Sequence, residues 1–68
     1  MQILKAVEVL AQSNKSWEDA AQIAVQETAK TVRQIKSIYI SDLEATVEND
    51  RITNYRINAK ISFVLEGH

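Results

Sequence analysis

Tyr55-Arg56-Ile57-Asn58-Ala59-Lys60-Ile61-Ser62-Phe63-Val64-Leu65 is the stretch that decides the fold. Tyr55, Ile57, Ala59, Ile61, Phe63 and Leu65 share one face, and Arg56, Asn58, Lys60 and Ser62 share the other. That period of two belongs to a strand with one face on a core and one face turned away from it. Just upstream, Asn49-Asp50 is a turn signal between two β-like runs, so the run before it pairs with this strand as an antiparallel hairpin. The earlier run starts at Ser37-Ile38-Tyr39-Ile40, with Ile38 and Ile40 at even positions, and goes on through Leu43, Ala45 and Val47 at odd ones. A change of parity on one face requires an inserted residue, which predicts a bulge or bend near Ser41-Asp42.

Working outward, Ser16-Trp17-Glu18-Asp19 carries an N-cap serine, two acids suited to the positive end of a helix dipole, and Asp19 at the third position of a capping box. At 100° per residue, Trp17, Ala20, Ala21, Ala24, Val25, Thr28, Val32 and Ile35 form one apolar stripe, which predicts a helix from Trp17 to about Gln34. Trp17 reads as a core anchor. Ile23 points away from the stripe and is expected to touch another subunit. Residues 2–11 read as the first strand, with Val7, Val9 and Ala11 on one face and Ala6, Glu8 and Leu10 on the other. The fold class is therefore α+β: a single β-α-β-β domain over residues 1–68, with a three-stranded antiparallel sheet and one helix packed on one face. The first strand has two places open to it, parallel to the second or antiparallel to the third, and the second of these is favoured.

Composition narrows the function by exclusion. The 68 residues hold no cysteine, which removes disulfides, thiolate zinc sites and cysteine nucleophiles. Gly67 is the one glycine, so phosphate-cradling and dinucleotide-binding loops are excluded. A net charge of −1 with both signs interspersed gives no footprint for nucleic acid. No apolar run is long enough to span a bilayer, and the N-terminus has no signal-peptide pattern, so the expectation is a cytoplasmic protein with neither a nucleic-acid nor a membrane partner. Residues 66–68 read in part as the remnant of an expression tag, and His68 is set aside with them. Without a histidine, a cysteine or a defensible carboxylate–nucleophile pair inside the fold, the chain is expected not to be an enzyme.

A chain this short buries only about 60% of its unfolded surface. The face carrying Ser37, Tyr39, Arg56, Asn58 and Lys60, beside Ala6 and Leu10, is too polar for a core, and a long three-stranded sheet has edges that invite pairing. A closed symmetric homo-oligomer answers both, with the polar face lining an interior or an intersubunit pocket.

The runs Glu8-Val9-Leu10-Ala11-Gln12-Ser13, Ser16-Trp17-Glu18-Asp19-Ala20-Ala21, Thr31-Val32-Arg33-Gln34-Ile35 and Ile57-Asn58-Ala59-Lys60-Ile61-Ser62-Phe63 resemble the dodecin family across nearly the whole chain. The resemblance implies a hollow homododecamer that binds or stores a small ligand, with flavin (riboflavin or FMN) as the family's best-known guest. It also implies three site positions. Ser37 stands where flavin-binding dodecins carry a stacking tryptophan, Arg56 where they carry a glutamine, and Asp42 where they carry a carboxylate; Glu44 stands where binders of the flavin phosphate tend to place a basic residue. Tyr39, Glu44, Asn58 and Lys60 extend the expected pocket. For Arg56 and Lys60 the functional reading is an anion contact, and the plainer one is an intersubunit ion pair with Glu8 or Glu44. Asp42 and Glu44, with Glu48 and Asp50 beyond, offer hard oxygen ligands for calcium or magnesium, although their spacing matches no calcium loop and solvated acids are the favoured account of them. Because dodecins without the tryptophan include calcium-binding members, a divalent-cation-binding or purely structural shell is the alternative.

Overall fold

The structure, a computed structural model, describes residues 2–65, so the tag reading of 66–68 lies outside the described residues. The elements are β1 (Leu4–Ser13), α1 (Trp17–Thr28), β2 (Ile35–Glu48) and β3 (Arg51–Val64). The sheet order is β1-β3-β2 with both pairings antiparallel: the Asn49-Asp50 turn joins β2 to β3, and β1 takes the favoured of its two places, antiparallel to β3. Both turn residues have positive φ, 52° and 64°, the backbone of a two-residue type I′ hairpin between Glu48 and Arg51. The predicted bulge is present: the register slips between Ile40 and Asp42, leaving Ser41 as the extra residue. Further slips lie between Ile35 and Ser37 and between Thr46 and Val47.

Ala20, Ala24, Ile57, Ala59, Ile61 and Phe63 are buried, which is the apolar face of β3 meeting the alanine stripe of α1. Alanines let the helix backbone settle close to the sheet, and Val9, Ala11, Ala21 and Ile38 pack around this centre. Trp17 anchors the helix start as expected. Its ring meets Tyr55 edge-on, with centroids 4.8 Å apart and planes at 75°, and its Nε1–H donates to the Glu44 carbonyl at 3.0 Å.

Several boundaries and contacts differ from the sequence reading, among them the start of β1 at Leu4 and of β2 at Ile35. The helix ends at Thr28, not near Gln34. No glycine is available to close it, and the β-branched Thr28, Thr31 and Val32 disfavour further turns, so the chain tightens through i→i+3 bonds from Lys30 and Thr31. Gln34 then takes a left-handed conformation, φ 58°, which swings the backbone into β2. Second, β1 runs on to Ser13, which puts Gln12 and Ser13 inside the sheet opposite Arg56 and Tyr55. Third, Leu65 lies beyond the end of β3 and is exposed. Fourth, the capping box is only half formed. Ser16 Oγ accepts from the Asp19 N–H at 2.9 Å, but the Asp19 carboxylate turns to the buried Ser13 hydroxyl at 2.5 Å. That bond ties the helix start to the end of β1.

A 12-residue helix is about 18 Å long and a 14-residue strand about 46 Å. The helix therefore leaves the distal hairpin uncovered, with Leu43, Val47 and Ile52 exposed on the side that faces the helix nearer the core. The radius of gyration is 14.0 Å, against about 11 Å for a compact chain of this length. Among the described residues no helix is long and apolar enough to cross a membrane.

Candidate functional site

The site is built on the sheet face away from the helix. Strand register sets it out as four cross-strand rows from β1 through β3 to β2: Gln12–Arg56–Glu44, Leu10–Asn58–Asp42, Glu8–Lys60–Tyr39 and Ala6–Ser62–Ser37. The Ser41 bulge decides this arrangement. Without it Asp42 and Glu44 would point to the helix side; with it they stand beside Asn58 and Arg56.

Arg56 is held on both flanks. Its Nη1 lies 3.2 Å from Glu44 Oε1, while Nε and Nη2 lie 3.2 Å and 2.9 Å from Gln12 Oε1. The ion pair foreseen between subunits thus forms inside one chain, because Glu44 and Arg56 are direct register partners. Gln12 was not foreseen as a site residue. With the first strand ended at Ala11, Gln12 fell in a loop; continuing the β1 alternation by two residues would have found it. Leu10, Ala11, Gln12, Glu44 and Arg56 line a hollow of about 330 Å³. A neighbouring hollow of about 310 Å³ is bounded by Glu8, Val9, Leu10 and Asn58. Asn58 Oδ1 is buried there with no hydrogen-bond partner, an acceptor awaiting a donor.

Other expected site residues are separated. Ser37 pairs with Ser62, six residues along β3 from Arg56, so the two lie about 20 Å apart within one chain. They share a pocket only if different copies supply them. Around Ser37 the row is made of small side chains, Ala6 and Ser62, with no ring. The nearest aromatic on this face is Tyr39, one row away and exposed. Lys60 stands opposite Glu8. Asp42 and Glu44 share the face, but among the described residues no three carboxylates or histidines gather closely enough to hold a metal. Ile23 is half-buried and, with Val9, Ala24 and Thr28, lines an open groove between α1 and β1.

Comparison with known proteins agrees with this architecture. Residues 3–66 match the family described as Dodecin. A calcium dodecin of Mycobacterium tuberculosis is 30% identical over 63 residues, covering 93% of this chain and 89% of that protein. The crystal structure of the M. tuberculosis calcium dodecin, described as calcium-chelating with a novel calcium-binding site, superposes with a TM-score of 0.80 at 29% identity, over 94% of this chain and 91% of that one. A point variant of a Thermus thermophilus dodecin superposes with a TM-score of 0.93 at 24% identity over the full length of both chains. Matched over nearly its whole length, the chain belongs to the dodecin family.

Proposed function

We propose that this dodecin assembles as a hollow homododecamer, acts as a small-ligand binding or storage protein rather than an enzyme, and takes a flavin-class ring on its polar sheet face between copies. The observation that carries the reading is the single-chain layout of that face. A hairpin of two 14-residue strands spreads Ser37, Tyr39, Asp42 and Arg56 over about 20 Å, with hollows too open to enclose a ligand alone. Copies meeting face to face would close them. Without a ring at Ser37 the ligand is held by Tyr39 and by polar contacts to Arg56, Asn58 and Asp42, and it forfeits roughly 1 kcal/mol per lost stacked pair. The test is quenching of riboflavin fluorescence by a particle of about 92 kDa, twelve copies of a 7.7 kDa chain. A folded monomer, or a shell that leaves riboflavin emission untouched at high micromolar protein, overturns the reading.

A second reading, a divalent-cation shell, is favoured by the row in which Asp42 stands beside the unpartnered Asn58 Oδ1, since carboxylate and amide oxygens suit calcium or magnesium. Each copy would supply part of the ligand set and its neighbour the rest. Calcium that raises the melting temperature, reversed by a chelator, supports this reading; indifference to both removes it.

A further inference from the structure

The side of the sheet that carries the helix holds an uncovered apolar strip and an open apolar groove, well apart from each other. The strip is Leu43, Val47 and Ile52 on the hairpin arm, all exposed, and it spans about 13 Å from Leu43 to the Val47–Ile52 row. The groove has a volume of about 340 Å³ and an apolar lining of Val9, Ala11, Ile23 and Ala24. It runs for about 10 Å along β1, from Val9 to Gln12. The strip does not reach the groove of its own chain. The Trp17 Nε1–H bond to the Glu44 carbonyl pins the helix start beside β2, and α1 then packs over Ile57 and Ala59 while the arm runs the other way. From that pin Ile23 lies about 9 Å up the helix and Val47 about 10 Å out along the arm.

Charge decides what the strip fits. Asp50 and Arg51 stand exposed at the arm tip beside Ile52, and Glu27, which lines the groove, holds Lys30 at 3.0 Å on its rim. An arm laid in the groove brings Arg51 within reach of Glu27, and Asp50 within reach of Lys30. Strip against strip would instead join two tips that each set Glu48 and Asp50 against one Arg51, and it would leave both grooves open. With one strip and one groove per copy, each copy gives one contact and receives one, the kind of contact that closes into a ring.

We propose that the α1–β1 groove is the seat of the hairpin arm of a second copy, with Val47 and Ile52 covering Ile23 and Arg51 meeting Glu27. The inference deepens the homo-oligomeric reading and rests on it, and it needs neither flavin nor cation. The sequence has no cysteine, so engineered pairs report without background. Ile23→Cys combined with Val47→Cys, or with Ile52→Cys, is expected to give covalent oligomers on mild oxidation, reversed by dithiothreitol on a denaturing gel. Within one chain Ile23 and Val47 stand about 19 Å apart, far beyond the roughly 7 Å between Cα atoms that a disulfide spans. Each single-cysteine variant is expected to run as a monomer. A second measurement leaves Ile23 untouched: Arg51→Glu should raise the protein concentration at which the particle dissociates about tenfold, and adding Glu27→Arg should recover most of that shift. Crosslinking by either pair, or that recovery, supports the seat. A particle of about 92 kDa in which neither pair crosslinks and Glu27→Arg recovers nothing, or crosslinking that Val47→Cys alone reproduces, overturns the seat and leaves the shell standing. A wild-type chain that sediments as a folded monomer overturns the shell itself, and this inference with it.

Discussion

Replacing Val47 and Ile52 together with aspartate should dismantle the assembly while leaving the single chain's core intact. Val47, Ile52 and Leu43 are 61%, 53% and 59% exposed in the isolated chain, on a hairpin arm that α1 is too short to cover. Full burial of such a side chain is worth about 1.5–3 kcal/mol. Covering the part still exposed would therefore contribute about 1–1.5 kcal/mol each, or roughly 4 kcal/mol per copy for the three. Aspartate at two of them removes most of that and adds the cost of desolvating two carboxylates, several kcal/mol per contact. Within one chain the same changes cost little, because Val47 and Ile52 pair across an exposed stretch of hairpin and touch none of the buried residues Ile57, Ala59 and Ile61. Sedimentation velocity at micromolar protein should show the wild type near 92 kDa and the double variant at its 7.7 kDa chain mass or a small oligomer. Circular dichroism should report whether β-structure persists. A double variant that sediments like the wild type with an unchanged melting temperature would refute the assignment of this strip to a contact between copies.

Other expectations are more local. Ser37→Trp restores a ring to the row of Ala6 and Ser62; riboflavin affinity, read by quenching, should rise about fivefold or more, matching 1 kcal/mol or more of stacking. Ile57→Ala opens a void at a fully buried position between sheet and helix and should lower stability by about 2–5 kcal/mol, read from chemical denaturation with an unchanged m-value. Asp50→Gly relieves a left-handed residue, φ 64°, in the type I′ turn and should raise stability by about 0.5 kcal/mol, visible as a higher denaturation midpoint.

How much of this was legible beforehand follows from the range over which each force acts. Alternation through β3, the positive-φ turn at Asn49-Asp50 and the parity change across Ser41-Asp42 are local, and each appears in the structure where the residues place it. Patterning put Ser37 and Arg56 on the polar face, and the family resemblance added Asp42, but neither measures the gap between them, because their separation depends on register counted across two strands. Val32 and Ile35 continue the helical stripe past the true helix end, while the β-branched Thr28 and Thr31 and the turn at Gln34 stop the helix earlier. Gln12 was missed for a related reason: a polar residue at a strand's end looks like a loop until its partner on the neighbouring strand is known.

The amino-acid order by itself determined the β-α-β-β sequence, the bulge and the division of each strand into an apolar and a polar face, because side-chain alternation and turn stereochemistry act over a few residues. Only the tertiary structure decided that Arg56 pairs with Glu44 and donates to Gln12 in its own chain, and that Asn58 keeps an unpartnered oxygen. Those facts depend on which residues, distant along the chain, come within hydrogen-bond reach once β1 and β2 have each paired with β3 in one register.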